Sequence, residues 1–310
     1  MNRSPKVSII ILTWNSVGLT LEVLKDINKL DTKGLLVETI VVDNGSTDET
    51  QEKLRGYKLQ NMSFKLIRKK ENLGFAEGNN IGMRDALKRG ADYVLLMNND
   101  VIVPRNLVVQ LIKVAERDSK IGLLAPKMYF AKGYEFHKEK YSKKDLGKVI
   151  WYAGGMIDWD NTYSSHKGVD EVDKGQYDKQ EETDIVNGAC ALIRKEVIED
   201  IGYLDKKLFL YWEDADYSQR ARRKGWKIVY TPETHLWHKV AQASGIGSDL
   251  NDYFLTRNRM IFGMRYAHLR TKLALIKESF NLLISGRKWQ KIGTRDFYLG
   301  RFGKGSWGKK

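Results

Sequence analysis

Short apolar runs alternate with segments of helical period through the first third of the chain. Residues 7–13, Val-Ser-Ile-Ile-Ile-Leu-Thr, are mostly β-branched and apolar, which predicts a buried strand. Leu19, Val23, Ile27 and Leu30 then recur at helical spacing, with Asn15 and Ser16 placed to cap the helix. Residues 36–42 read as a second strand that ends in Asp43-Asn-Gly-Ser-Thr-Asp-Glu. Ser46 and Glu49 there have capping-box spacing, so a helix is expected at once. Residues 64–67 make a third strand, and Gly74 and Gly78 mark a loop that becomes a helix stopping at Gly90. Residues 93–97 make a fourth, ending in Asn98-Asn99-Asp100, and Leu107, Leu111 and Val114 are the stripe of the helix after it.

This alternation predicts an α/β fold: a mainly parallel, twisted sheet with helices on both faces. Ligands in such sheets bind outside the carboxyl ends of the strands. Three strands here end in polar residues: Thr13-Trp14-Asn15, Asp43 and Asn98-Asn99-Asp100. Residues 130–185 are charged and rich in Gly and Tyr. They read as an irregular, substrate-facing insertion with a short hairpin at 151–159, or as a plain surface loop. Order returns at 185–193, followed by a helix at 195–201 closed by Gly202. Leu208-Phe-Leu-Tyr-Trp212 then leads into Glu213-Asp214-Ala-Asp216 and a helix ending near Gly225. Residues 226–230 read as a strand, with His235 and His238 just beyond it. From about Asp249 the chain reads as helical, amphipathic and basic, which divides it into a catalytic domain, 1–248, and a C-terminal extension, 249–310.

The formal net charge of +14 is unevenly placed. Residues 257–310 hold 14 Lys and Arg against 2 acids, whereas residues 1–155 hold 26 against 18, a more mixed distribution. That distribution suggests docking of the tail on an anionic membrane surface, not a nucleic-acid groove. Packing of the tail on the domain is the alternative. Cys190 is the single cysteine, so no internal disulfide can form, and its small, apolar neighbours suggest a buried thiol. The first apolar run is too short for a signal-peptide core, and no stretch approaches the ~18 apolar residues of a membrane span. The expected location is cytoplasmic, with peripheral contact at the inner face of the cell membrane.

Asp43 could simply order its turn, or it could accept a hydrogen bond from a nucleotide base or ribose. Asp100, beside two asparagines, suits a hard cation shared with a diphosphate, since such ions often use only one or two protein carboxylates. Glu213, Asp214 and Asp216 crowd three carboxylates into four residues. A helix N-terminus would favour them, and Asp216 can pair with Arg220. The aromatics Phe209, Tyr211 and Trp212 suggest a sugar site, where a carboxylate could act as general base. The helix N-terminus should weaken that base while keeping it ionised. His238, and less so His235, could complete a metal shell. Asn79 shares a helical face with Met83 and Ala86 and should point inward, holding the nucleotide-side loop or simply satisfied in the core. Arg257 and Arg259 could clamp phosphates.

The order of these pieces resembles glycosyltransferase family 2, in its rhamnosyltransferase-like branch. The resemblance rests on Val41-Val-Asp-Asn-Gly-Ser-Thr-Asp48, Asn72-Leu-Gly-Phe-Ala, Leu95-Leu-Met-Asn-Asn-Asp100, Asn187-Gly-Ala, Gly202-Tyr-Leu-Asp205, Tyr211-Trp-Glu-Asp-Ala-Asp216 and His238, collinear over about 5–265. It implies a GT-A fold, a nucleoside-diphosphate sugar donor such as dTDP-rhamnose or a UDP-sugar, a Mg²⁺ or Mn²⁺ ion, and inversion at the anomeric carbon. It also implies a glycan or lipid-linked acceptor. By position, Trp14 and Asp43 would contact the nucleotide, and Asp100 matches the metal-binding end of the family's Asp-x-Asp motif. Asp214 matches the general base, with Glu213 beside it, and His238 matches a histidine that reaches the metal or diphosphate. Asn98 stands where the strict motif has Asp. Two rivals are a sugar-phosphate nucleotidylyltransferase and a non-catalytic carbohydrate- or nucleic-acid-binding protein. The first needs a basic phosphate loop after the first strand, but residues 14–18 contain no Lys or Arg. The intact carboxylate cluster argues against the second.

Overall fold

The computed structural model describes residues 3–240 and 247–308. The first half alternates strictly: β1 (Lys6–Thr13), α1 (Val17–Ile27), β2 (Leu36–Asp43), α2 (Thr50–Leu54), β3 (Ser63–Arg68), α3 (Gly74–Lys88) and β4 (Tyr93–Met97). Then come β5 (Val101–Ile102), α4 (Leu107–Ala115), β6 (Ile121–Phe130), β7 (Ile150–Tyr152), β8 (Gly155–Asp158), β9 (Tyr163–His166) and β10 (Glu181–Glu182). The remainder is β11 (Cys190–Arg194), α5 (Lys195–Ile201), α6 (Glu213–Arg223), β12 (Lys227–His238), α7 (Asp249–Tyr266), α8 (Leu269–Ser285) and α9 (Lys288–Tyr298).

The main sheet runs β10-β12-β6-β11-β4-β1-β2-β3, with β5 added to β12 and β7 to β6. The run β4-β1-β2-β3 is parallel, as the alternation predicts. β11 enters antiparallel between β4 and β6, and β6 pairs parallel with β12. β1 is buried almost throughout, because α1 covers one face of the sheet and α3 packs on it through Gly78 and Gly82. A Cβ on Gly82 would collide with Ile10, and one on Gly78 would come within 2.5 Å of Leu12.

Several local expectations are corrected. Ser16 occupies the N-cap of α1 but makes no side-chain cap, and Asn15 faces the other way. Ser46 caps nothing either: α2 starts only at Thr50, and the Ser46 hydroxyl accepts the Asn15 N–H at 2.9 Å. The hairpin expected at 151–159 is displaced, since residues 150–152 join the main sheet and β8 pairs with β9. The insertion at 130–185 is thus partly built into the fold. β12 is longer than expected and carries both His235 and His238 past a bulge. β6 was not foreseen.

The basic extension, whose last two residues lie outside the described ones, is not uniformly amphipathic. α7 buries residues around its circumference, including Asp252, Tyr253, Phe254, Arg257, Asn258 and Met260. It shares one apolar cluster with Ile157, Ile185, Leu208 and Trp212. Cys190 is fully buried, which pushes its thiol pKa upward.

Gly82→Val should lower stability by about 2 kcal/mol, because the side chain overpacks a closed helix–sheet contact. Urea unfolding checks this; an unchanged midpoint would mean that α3 can move away from β1.

Candidate functional site

The register of the parallel strands builds the site. Thr13 lies opposite Asp43, and Ile11 opposite Met97, so β1, β2 and β4 release their polar ends at one sheet edge. There Asn15, at φ +48°, accepts the Thr47 N–H on Oδ1 at 2.7 Å. Ser46 N donates to Asp43 Oδ1 at 2.9 Å. The other Asp43 oxygen is buried with no partner, an acceptor aimed at nothing in the protein. Thr13 and Asn99 are tied to Thr20 of α1, at 2.8 and 3.1 Å. Trp14, just past β1, is 49% exposed. Asn44 stitches on the next loop, donating to Gly74 O at 3.1 Å and accepting Leu73 N–H at 3.0 Å.

β5 brings in the second group. It pairs with the end of β12, with Val101 opposite His238. His238 Nε2 thereby lies 3.0 Å from Asp100 Oδ1, both residues buried. Trp151 packs edge-on against this imidazole, ring centroids 4.3 Å apart, and Nδ1 is buried without a partner. Among the described residues no cluster of three or more His, Cys, Asp or Glu could hold a metal. Asp100 and His238 together could supply two ligands, which suits a hard cation whose remaining ligands are water and phosphate oxygens. His235 instead packs against Tyr129 and Trp237.

The third group reaches the same edge because β11 runs antiparallel beside β4, placing residues 187–189 there. Ala189 O accepts Asn98 N–H at 3.0 Å, and Gly188 N donates to Asp214 Oδ2 at 3.2 Å. One short loop therefore touches both the Asp100 segment and the candidate base. Glu213 and Asp214, in the first turn of α6, border a small cavity with Phe75, Leu96, Val186 and Tyr217. Burial pushes the Glu213 carboxyl well above the usual carboxylate range, and the neighbouring Asp214 charge adds to this. Burial also raises Asp214, opposed by N–H groups of Gly188 and Ala215. Glu213 Oε2 has no partner. Asp216 is structural: it binds Arg220 at 2.9 Å, Arg265 at 2.8 Å and the Tyr266 hydroxyl at 2.7 Å.

Three expected contacts are not brought to this edge. Arg257 is fully buried, and its guanidinium donates to Leu208 O at 3.2 Å beside the rings of Tyr253 and Phe254. It is already committed to protein carbonyls and does not face phosphates. Arg259 pairs with Glu278 at 2.7 Å and binds Thr162 O. Trp212 is buried against Phe262, ring centroids 4.7 Å apart, so it offers no open face to a sugar. Asn79 points inward as expected and takes the satisfied-amide alternative: it is buried and donates to Phe75 O of its own helix at 3.0 Å. Sequence reasoning missed Trp151, His166 and Asn258. His166 Nε2 meets the Asn187 amide at 3.1 Å, and its ring packs on Trp151.

A family model described as Glycosyl transferase family 2 matches residues 8–202. The chain belongs to that family. Its fold is GT-A, as the resemblance implied. The family 2 chain is 24% identical over 224 residues to a low-salt glycan biosynthesis hexosyltransferase of Haloferax volcanii, covering 72% of this chain and 63% of that one. It is 25% identical over 228 residues to an N-acetylglucosaminyl-diphospho-decaprenol L-rhamnosyltransferase of Mycobacterium tuberculosis, covering 67% of this chain and 68% of that one. A solved mannosyltransferase of Pyrobaculum calidifontis, in complex with GDP-Man and Mn²⁺, superposes with a TM-score of 0.55 at 17% identity, covering 99% of this chain and 76% of that one.

Glu213→Gln tests the buried carboxyl. An acid whose folded pKa is raised loses stability for the protein as pH rises from its unfolded value through the folded one. The variant should therefore have a higher urea midpoint than wild type at pH 8. The difference should vanish near pH 4, where Glu213 holds its proton in both states. A difference independent of pH would remove burial of this charge as the cause.

Proposed function

We propose that this family 2 chain transfers a sugar from a nucleoside-diphosphate sugar to an acceptor hydroxyl in a single inverting displacement. The observation that carries the reading is the meeting, at one sheet edge, of an unpartnered buried carboxylate oxygen on Asp43, the Asp100–His238 pair and the raised carboxyl of Asp214. Asp43 would accept from the nucleotide, with exposed Trp14 beside it to cover a flat ring. Asp214 takes the proton of the acceptor hydroxyl, whose oxygen bonds to the anomeric carbon as the bond to the diphosphate breaks. Its raised pKa makes it a stronger base than an ordinary aspartate. Burial of Glu213 favours its protonated form, which lessens the charge beside Asp214. Asp100 and His238 would hold a divalent cation, Mg²⁺ or Mn²⁺, whose chemistry is to neutralise charge on the leaving diphosphate. The donor would be of the dTDP-rhamnose or UDP-sugar type, and the acceptor a growing glycan or a lipid-linked sugar, such as the decaprenol-linked sugar in the name of the mycobacterial relative.

Lipid-linked acceptors sit at a membrane, and the outer face of α8 suits one. Leu269, Leu273, Phe280 and Ile284 share one side of that helix and are all exposed, Ile284 at 78%. Exposed Arg270, Lys277, Lys288 and Arg295 flank them. The two acids of this region are turned to the protein: Glu278 to Arg259, and Asp296, fully buried, to Tyr253 and Ser306. An apolar strip edged by cations complements an anionic bilayer surface. Among the described residues no helix is long and apolar enough to cross a membrane.

Two measurements test this. In a panel of nucleotide-sugars with and without Mg²⁺ or Mn²⁺, one donor should raise the melting temperature and be turned over. Asp214→Asn should then cut kcat at least about 100-fold while leaving donor affinity unchanged; retained turnover would sink the assignment of the base. Separately, the chain should sediment with phosphatidylglycerol-containing vesicles and not with pure phosphatidylcholine. The triple change Leu273→Asp, Phe280→Asp, Ile284→Asp should release it without lowering turnover on a soluble acceptor. Undiminished vesicle binding would exclude this face.

A further inference from the structure

The backbone that aims the catalytic helix is strained, and the C-terminal helices hold it. Phe209, Tyr211 and Trp212 all adopt left-handed φ, at +64°, +67° and +72°. None is Gly or Asn, the residues that enter this region readily. Trp212 is the N-cap of α6, so this loop decides where Glu213 and Asp214 point. Within the loop Leu210 N donates to Leu208 O at 2.7 Å across Phe209; the side-chain restraint comes from α7. The Asn258 side-chain amide donates to the carbonyls of Leu208, Leu210 and Tyr211, at 2.7, 2.8 and 2.9 Å. Asn258 is itself fully buried, and its Oδ1 is oriented by the Arg257 Nε–H at 3.0 Å. On the opposite side, Phe209 O accepts the N–H groups of Phe75 at 2.6 Å and Ala76 at 3.2 Å. Those residues open α3, directly after the loop that Asn44 ties to the end of β2. The strained loop thus bridges the donor-side loop and the helix of the base.

We infer that Asn258 is a positioning residue for the transfer reaction: it clamps 208–212 in the left-handed form that directs Asp214 at the acceptor hydroxyl. The inference rests on Asp214 being the base. It makes the C-terminal segment part of the catalytic apparatus, with the Asn258 amide, beside the Arg257 guanidinium on Leu208 O, as the contact that gathers the loop carbonyls.

The test uses the full chain. Asn258→Asp keeps the shape but replaces the donor with an acceptor, and Asn258→Ala removes it. Both should lower kcat at least about 30-fold, as expected of a base held off its line of attack, with donor affinity by calorimetry within about threefold of wild type. A second change separates positioning from general damage. Tyr211→Gly accepts left-handed φ without a clamp, so in the Asn258→Ala background it should recover several-fold in kcat, whereas in wild type it should not raise kcat. Unchanged kcat in both Asn258 variants overturns the inference. So does loss of donor binding and kcat together, or the absence of recovery by Tyr211→Gly. If Asp214→Asn retains turnover, the functional reading itself fails. If Asp214→Asn is dead while Asn258→Ala is active, only the clamp fails.

Discussion

The in-register parallel pairing of β1 with β2 and β4 is the constraint on which the rest depends. Side chains alternate along a strand, so a slip of one residue would turn Asp43 to the opposite face and bury a different set of apolar residues. With Thr13 opposite Asp43 and Ile11 opposite Met97, β1 and β2 end level and β4 ends two residues earlier, so all three release their polar segments on the same side of the sheet. Every later element then needs only to reach that edge. β5 does so by pairing with β12 and delivering His238 to Asp100. β11 does so by running antiparallel beside β4, which places 187–189 against both Asn98 and Asp214.

What the sequence reveals follows from how local each signal is. β4 and α5 have the predicted limits, because their apolar patterns and the closing Gly202 are contained within them. β6 hides because its interior holds Gly122, Pro126 and Lys127, residues that read as a break. Pro126 is accommodated where the β6–β12 register shifts, and buried Lys127 is neutralised by Asp173 at 2.8 Å, a partner 46 residues away. No local pattern contains that partner. Ser46 and Glu49 have a real capping-box spacing, yet Asn15 from another strand end takes the Ser46 hydroxyl instead.

The candidate site divides in the same way. Asp43, Asp100, His238, Glu213 and Asp214 stand at strand and helix ends, so their placement at one side of the sheet is legible from the pattern of elements. The burial of Arg257 and Trp212 is not legible, because charge and aromaticity do not announce burial. The carbonyls that receive Arg257 exist only once 207–211 has folded against α7. The signal for Asn258 was faint: a poor helix former set between two arginines in the middle of a helical stretch. The conflict foreseen at Asp214, a helix N-terminus that should weaken a base, is also resolved by burial. Desolvation outweighs the N–H groups facing it, so the carboxyl is raised despite its position. The fold accepts two poorly compensated carboxyls there, a cost to stability that a purely structural helix start would avoid.

The basic C-terminal segment looked like one feature and is two. Arg257 and Arg259 face inward, bound to backbone carbonyls and, for Arg259, to Glu278. Arg270, Lys277 and Lys288 face outward along an apolar helix side. Net charge alone therefore does not distinguish a packed tail from an outward-facing one, because α7 is packed while α8 leaves one side exposed. The same division bears on where the enzyme ends. The family model stops at residue 202, yet Asp214, His238 and the three left-handed residues that orient α6 come later, and α7 restrains the last of these. A segment that supplies the outer face of α8 while α7 holds the base's helix would bind surface and chemistry in one rigid piece. The acceptor's approach and the base's orientation would then be set by the same two helices.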